Sequence, residues 1–237
     1  MRRYKIADVV FDASFKYKYT AEVCKNYEYN GDEKSIAFFE ITDCDIAKEK
    51  VNAPDFHDAH LENLALFRKL CSFILTNAQG IIFHSSAVMV NNNAYLFTAP
   101  SGTGKSTHTR LWRELLGDKA VMINDDKPII RFVDGDFYVY GTPWNGKHRL
   151  DTNCRAKVKA ICKISQAKEN VITPITPAQM LPVIFNQTLY PNGLNDMDKL
   201  LSYIDKLLKS VDLYSLGCNI SKEAAMLSYQ TMSGEQL

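Results

Sequence analysis

The sequence predicts an α/β fold with a small β-rich subdomain at its N-terminus. Short β-rich runs, separated by the turn signal Asn30-Gly31-Asp32, occupy residues 1–53. Apolar residues then recur at helical spacing over residues 58–77, and Gly80 follows as a stop signal. Further on, an apolar strand leads through a glycine-rich segment directly into an amphipathic helix. We therefore expect an N-terminal subdomain with its connecting helix over residues 1–77, and a larger domain over residues 78–237.

The composition is that of a globular protein and excludes several classes. Of 237 residues, 28 are Lys or Arg and 27 are Asp or Glu, so no basic excess suggests a nucleic-acid partner. No apolar run approaches the roughly 20 residues that span a bilayer, so no membrane association is expected. The basic start, Met1 to Lys5, lacks the apolar core of a signal peptide. We therefore expect a cytoplasmic protein whose six cysteines are reduced thiols.

The region from residue 78 onward predicts a sheet covered by helices. Residues 81–90 and 94–98, separated by three asparagines, are expected to form a hairpin of buried strands. Further strands are expected at residues 120–123, 129–133, 137–140 and 158–164, and helices at 106–116, 177–189, 195–210 and 222–232. The amphipathic helix around Leu200 to Leu208 is explained most simply by a core-facing role, although a homo-oligomer seam is also compatible with it.

Residues 99–107, Ala-Pro-Ser-Gly-Thr-Gly-Lys-Ser-Thr, carry the strongest functional signal. A phosphate-binding loop needs inward-pointing backbone N–H groups, a lysine for the β- and γ-phosphates, and a hydroxyl for Mg²⁺. The pattern departs from the usual one at Ala99, which stands where the first glycine is expected. The alternative is a Gly/Ser turn that happens to contain Lys-Ser. The predicted nucleotide-binding residues are Ser101, Gly102, Thr103, Gly104, Lys105, Ser106 and Thr107.

Two adjacent carboxylates, Asp125 and Asp126, follow a short apolar strand. A one-helix crossover of about twenty residues is expected to place this strand beside the phosphate loop. Hard cations prefer oxygen ligands, so one carboxylate could hold Mg²⁺ while the other takes a proton from an acceptor hydroxyl. The alternative is a solvated turn, because Asp and Pro are common in turns.

Residues 141–149, Gly-Thr-Pro-Trp-Asn-Gly-Lys-His-Arg, form a second candidate segment. As a flap, the segment could carry Lys147 or Arg149 toward the transferred phosphoryl group, whose negative charge a cation would stabilise. As an ordinary loop between strands, it would be anchored in the core by Trp144.

These segments together resemble a known family. His84-Ser85-Ser86-Ala87-Val88, the hairpin, the phosphate loop and the strand ending in Asp125-Asp126 look like the catalytic core of the HPr kinase/phosphorylase group, which shares its nucleotide fold with phosphoenolpyruvate carboxykinases. The resemblance covers residues 78–165 and implies a P-loop nucleotide-binding domain with a mixed sheet.

The resemblance also implies roles for individual residues. Lys105 and Ser106 would bind phosphate and Mg²⁺, and His84 would lie near the γ-phosphate. Asp125 would be the base and Asp126 the metal carboxylate, although adjacent carboxylates titrate as a coupled pair and the order could be reversed.

The resulting hypothesis is a kinase that uses ATP and Mg²⁺. It would transfer the γ-phosphoryl group to a hydroxyl, in first place a serine of a peptide or small protein, because the chain is similar to small HPr-kinase-like proteins associated with peptide modification. A kinase for free serine or another small alcohol, an enzyme like phosphoenolpyruvate carboxykinase, and a non-kinase ATP-binding accessory protein remain as alternatives. The sequence does not choose between ATP, GTP and pyrophosphate, and it leaves the oligomeric state open.

Overall fold

The computed structural model describes residues 1–189 and 197–236, and these form a mixed α/β structure with two sheets. The smaller sheet lies in the N-terminal region, residues 1–77. Its strands are β1 (Arg2–Ile6), β2 (Val9–Ser14) and β3 (Ala37–Glu40), in the order β1-β2-β3. The expected β-rich run at residues 6–11 is interrupted, because Ala7 and Asp8 turn the chain at φ values of 52° and 56°.

The N-terminal region also contains three α-helices. They are α1 (Lys18–Val23), α2 (Asp43–Asn52) and α3 (Asp58–Asn77), and a short 3₁₀ helix spans Lys25–Tyr27. The prediction of α3 is confirmed, whereas the expectation of only strands and turns before residue 53 is wrong for α1 and α2. The start of α2 had a local signal, since Thr42 and Asp45 form a capping box.

The larger sheet is mixed, and the described residues contribute ten strands to it. Its spatial order is β12-β4-β8-β9-β10-β6-β5-β7, with β13 parallel to β10 and β11 antiparallel to β13. The strands are β4 (Gly80–Phe83), β5 (Ser86–Val90), β6 (Asn93–Thr98), β7 (Val121–Asn124), β8 (Ile129–Val133), β9 (Asp136–Tyr140), β10 (Arg155–Gln166), β11 (Val171–Pro174), β12 (Thr188–Leu189) and β13 (Asp212–Cys218).

The expected hairpin is only partly right. β5 and β6 pair as expected, but the apolar run at residues 81–90 is two strands rather than one. The strand is interrupted at His84-Ser85. The segment before this interruption, β4, pairs with β8 and β12 rather than with β6. β11 and β13 were not predicted.

Helices cover both faces of the larger sheet. The alternation in β6 sends Tyr95 and Phe97 toward α4 (Lys105–Leu116) and α7 (Lys222–Ser233), and Ala94 and Leu96 toward the other face. That other face is covered by α5 (Pro177–Gln187) and α6 (Met197–Ser210).

The core-facing interpretation of α6 is confirmed, since its apolar residues Leu200, Ile204, Leu207 and Leu208 are buried within the chain. Helix α5 ends two residues earlier than expected, because Thr188 and Leu189 pair with β4. The expected start of the next helix, at residues 195 and 196, lies outside the described residues.

The two regions share a core. Tyr140 and Trp144 of the larger region pack into the hydrophobic cluster of the N-terminal region, together with Phe11, Leu66 and Phe67. All six cysteines are unpaired. Among the helices of the described residues, none has the length and apolar character needed to cross a membrane.

Candidate active site

The phosphate loop connects β6 to α4 and has the backbone conformation its glycines require. Gly102 and Gly104 have φ values of 80° and 118°, in the region that side chains with a Cβ rarely adopt. Gly104 directly precedes α4, whose first N–H groups have no partners within the helix. Together with the helix dipole, these N–H groups make the loop a ready site for a phosphate group.

Ala99, the departure from the usual loop pattern, requires no strained backbone. Its φ is not among the positive values in the chain, so the position does not need glycine. Its methyl group is buried in the core formed with Leu111 and Trp112 of α4. The substitution is therefore compatible with a functional loop.

Lys105 lies across the start of this loop. Its ammonium group donates a hydrogen bond to the carbonyl oxygen of Ala99 at 2.8 Å, and the residue is buried. Burial lowers the pKa of the lysine, while the negative charge of Asp126 acts in the opposite direction. Lys105 is thus held against the loop backbone, within electrostatic range of Asp126.

The two predicted carboxylates lie on a turn built by Asn124, the last residue of β7. The Asn124 side-chain oxygen accepts hydrogen bonds from the backbone N–H groups of Asp126 at 2.8 Å and Lys127 at 2.7 Å. Its amide nitrogen donates to the carbonyl oxygen of Thr142 at 2.9 Å. This carboxylate turn, residues 124–127, is not solvated, because Asn124 and Asp125 are buried and the other two residues are half-buried.

Asp125 has the environment of a proton acceptor. One carboxylate oxygen accepts a hydrogen bond from the backbone N–H of Gly146, and the other, Oδ2, is buried without a hydrogen-bond partner. Burial raises the pKa of Asp125, the Gly146 bond lowers it, and the neighbouring Asp126 raises it further; the net direction is upward. A carboxylate with a raised pKa and a free oxygen is suited to general base catalysis.

Asp126 has the opposite environment. His84 Nε2 lies 3.1 Å from one of its oxygens, and the ammonium group of Lys127 bonds to the other. Desolvation raises the pKa of Asp126, but the bonds from His84 and Lys127 outweigh it and hold the pKa at about 2. Asp126 therefore stays ionised at neutral pH, as a cation ligand should.

The carboxylates follow β7, which is separated from β6 by β5, so the carboxylate turn is not brought toward the phosphate loop by direct pairing of these two strands. The interruption at His84-Ser85, before β5, connects the carboxylate turn to the end of β6, where the phosphate loop begins. Ser86 donates to the carbonyl oxygen of Asp125 at 3.0 Å, and Thr98, at the end of β6, donates to the carbonyl oxygen of His84 at 3.1 Å. The predicted histidine thus lies between the phosphate loop and the carboxylate turn.

A cleft of about 380 Å³ opens where these segments meet. It is lined by Ser101 of the phosphate loop, His84, Asp126 and Lys127, and by the segment from Asn186 to Leu189. Of the predicted site residues, the cleft brings together Ser101, His84 and Asp126, whereas Lys105, Ser106, Asp125 and Lys147 are not among the described residues that line it.

A second cleft, of about 350 Å³, is also lined by residues of the phosphate loop. It contains no acidic or lysine or arginine side chain among the described residues. Its lining comes from the loop and α4, from the end of β10 and from the segment after β13: Gly102, Thr103, Gly104, Thr107, His108, Leu111, Ile164, Gln166, Ala167, Cys218, Asn219 and Ile220.

The segment at residues 141–149 is a loop anchored in the core by Trp144, as the second interpretation of its sequence expects. Trp144 is buried and its ring centroid lies 4.9 Å from that of Phe67, so it anchors the loop in the core. Lys147 and Arg149 are exposed near the tip of the loop. The contact with the site comes instead from Gly146, a residue that the sequence did not single out.

The described residues contain no cluster of three or more His, Cys, Asp and Glu side chains able to enclose a metal ion. Mg²⁺ needs no such cluster, because it keeps several waters and is commonly held by one or two carboxylates together with substrate phosphates. The ionised Asp126 and the hydroxyl of Ser106 fit that mode of binding.

Comparisons with known proteins are sparse. The chain matches no protein-family model, and it matches none of the curated proteins. A solved structure of the Hpr(Ser) kinase/phosphatase from Coxiella burnetii is similar over 65% of this chain and 93% of that chain, with 8% sequence identity and a TM-score of 0.36. A similarity at this level identifies neither an activity nor a substrate.

Proposed function

We propose that the chain is a phosphotransferase that moves the γ-phosphoryl group of Mg·ATP to a hydroxyl group, in first place a serine of a peptide or small protein. The observation that carries this proposal is the single cleft that the phosphate loop shares with the carboxylate turn. Phosphoryl transfer depends mainly on positioning and charge stabilisation, which is what these two segments offer.

On the donor side, the N–H groups of the loop and Lys105 bind the β- and γ-phosphates. Ser106 and Asp126 hold Mg²⁺, which when bound neutralises charge on the β- and γ-phosphates. His84, which lies 3.1 Å from Asp126, would lie near the γ-phosphate. The exposed Lys147, next to Gly146, would supply further positive charge to the transferred phosphoryl group.

On the acceptor side, Asp125 takes the proton of the attacking hydroxyl on its unpartnered oxygen. The acceptor oxygen forms a bond to the γ-phosphorus while the bond from that phosphorus to the β–γ bridging oxygen breaks. The products are a phosphomonoester and the nucleoside diphosphate. The opposite pKa shifts of the two carboxylates favour Asp125 as the base and Asp126 as the metal ligand.

The second cleft supports a nucleotide rather than pyrophosphate as the donor. A nucleobase is planar and uncharged, and it is best accommodated between apolar side chains with a few polar groups at its edge. Leu111, Ile164 and Ile220 provide the apolar surface, and Gln166 and Asn219 provide polar groups. The loop lines both clefts, with Ser101 in one and Gly102 to Gly104 in the other, so we expect a bound triphosphate to lie along the loop.

³¹P NMR on the purified chain with Mg·ATP tests the proposal. The acceptors are free serine and a pool of serine-containing peptides, each omitted in turn. We expect a new phosphomonoester signal that is absent from Asp125→Asn and retained in Asp118→Asn, which changes an exposed carboxylate beyond α4. Inorganic phosphate alone, or no change in the ATP signals, would favour an ATP-binding accessory protein instead.

A further inference from the structure

The loop that supplies Gly146 is anchored by the N-terminal region. This Gly146 loop, residues 141–154, connects β9 to β10. Toward its start, the indole N–H of Trp144 donates to the side-chain oxygen of Asn63 in α3 at 3.3 Å. Near its end, Asn153 donates to the carbonyl oxygen of Asn26 at 3.0 Å. Both ends of the loop are therefore held by residues that precede residue 78.

Between these anchors, a chain of hydrogen bonds leads from Tyr27 to the carboxylate turn. The Tyr27 hydroxyl donates to one oxygen of Asp151 at 2.9 Å, and the side-chain amide of Asn145 donates to the other. The next residue, Gly146, donates its N–H to Asp125. Burial and the nearby Asp151 raise the pKa of Tyr27, so its hydroxyl keeps the proton that it donates.

The contact between Gly146 and the Asp125 carboxylate leaves little space for a larger residue at position 146. A Cβ added to Gly146 would lie 3.0 Å from Oδ2 of Asp125, closer than nine in ten real Cβ contacts. Because that oxygen has no hydrogen-bond partner, the bond from Gly146 to the other oxygen is what orients the carboxylate. A displacement of the loop would therefore redirect the proposed base.

We propose that Tyr27 is a positioning residue, which fixes Asp125 through the Gly146 loop. The N-terminal region then completes the proton-accepting side of the site, although it lines neither cleft within the described residues. This inference rests on the proposed function only for its consequence in catalysis. The mechanical link is testable without nucleotide or acceptor.

The chain offers a matched control. The hydroxyl of Tyr140, also buried, donates to a carboxylate oxygen of Asp8 at 2.9 Å and likewise joins the two regions. That link reaches the two residues that flank the Gly146 loop, because the Tyr140 hydroxyl also accepts a hydrogen bond from Arg155 at 3.3 Å, but it does not include Asn145 or Asp151 within the loop. Tyr27→Phe and Tyr140→Phe each remove one such hydroxyl, so we expect similar losses of thermal stability from the two variants.

The decisive measurement is the hydrogen-exchange rate of the Gly146 amide, followed by NMR in the full chain without nucleotide. We expect Tyr27→Phe to accelerate this exchange by about tenfold or more, since Asp151 loses its bond to Tyr27 and only the anchors at Trp144 and Asn153 remain. Tyr140→Phe should stay within about twofold of the wild type. Asn145→Ala interrupts the same series of hydrogen bonds at a residue outside the core, and it should reproduce the effect of Tyr27→Phe. It decides the question if Tyr27→Phe does not fold.

Equal Gly146 exchange in the wild type, in Asn145→Ala and in any folded Tyr27→Phe would overturn the proposal. Where turnover is present, Tyr27→Phe should lower kcat and leave the dissociation constant of Mg·ATP unchanged, and a lower kcat in Tyr140→Phe as well would also contradict it. A wild-type chain that makes no phosphomonoester would contradict the proposed function, while the amide exchange would still decide whether Tyr27 positions the loop.

Discussion

The phosphate loop and the carboxylate turn face the same cleft but are built in different ways. The loop draws on consecutive residues, 99–107, and its donors are mainly backbone N–H groups at the start of α4. The carboxylate turn depends on Asn124 within the turn, on His84 from the break before β5, and on Gly146 from a distant loop. Anion binding can therefore be a local property, whereas a buried carboxylate with a raised pKa requires tertiary structure around it.

The largest effect is expected on the loop side. Lys105→Ala removes the ammonium group that closes the loop and neutralises the phosphates, so turnover of Mg·ATP should fall below about a hundredth of the wild-type rate. Lys119→Ala, an exposed lysine beyond the far end of α4, should leave the rate unchanged. If Lys105→Ala retained turnover, the loop would not be the phosphate site.

Replacing each carboxylate of the turn should have a smaller effect, measured as a change in the free energy of unfolding. The change should have opposite signs for Asp125 and Asp126. The pKa of Asp126 lies at about 2 in the folded chain, below the ordinary value of 3.8, so its ionised form stabilises the fold. Asp126→Asn should therefore lower the free energy of unfolding at pH 7 by about 2 kcal/mol. The raised pKa of Asp125 means that its charge opposes folding, so Asp125→Asn should increase the stability.

Urea unfolding in the presence of EDTA, from pH 7 down to pH 2, measures both differences. The contribution of Asp126 is present above the unfolded-state pKa and should disappear as the pH falls from about 4 to about 2. Equal destabilisation by both substitutions at pH 7 would contradict the opposite environments assigned to these carboxylates.

A still smaller effect, on turnover, is expected when the contact between Gly146 and Asp125 is disturbed but the Asp125 carboxylate is kept. Gly146→Ala places a methyl group against the Asp125 carboxylate and should reduce turnover by about tenfold through misplacement of the base. In the double variant with Asp125→Asn, the glycine substitution should cause no additional loss, because its effect passes through that carboxylate. Additive losses in the two variants would show that Gly146 acts elsewhere.

The sequence could predict the features that depend on local patterns, but not those that depend on tertiary structure. The strand–loop–helix arrangement around residues 99–107, the helices α3 and α7 and the β5–β6 pairing could be predicted, because their patterns are local and long enough to be distinctive. The break at His84-Ser85 was not, since residues 81–90 are otherwise a continuous run of strand-forming residues. Helix α1 has six residues and no side-chain cap, so it gave no start signal.

The contacts around Asp125 show the limit most clearly. Gly146 is separated from Asp125 by 21 positions. Tyr27 is separated by 124 positions from Asp151, to which it donates. No periodicity or motif connects these residues, because only the packing of the N-terminal region against the larger sheet brings them together. Asn124 could have been suspected, since asparagine side chains commonly cap the backbone of the turns that follow them.

The central claim is that one nucleotide is bound by the loop and used by the turn. Calorimetric titration of Mg·ATP into the wild type and Asp125→Asn, with turnover measured on the same samples, tests that claim most directly. We predict equal dissociation constants and a turnover at least about a hundredfold lower in Asp125→Asn. Full turnover in this variant, or a loss of Mg·ATP binding, would contradict the separation of binding from proton transfer.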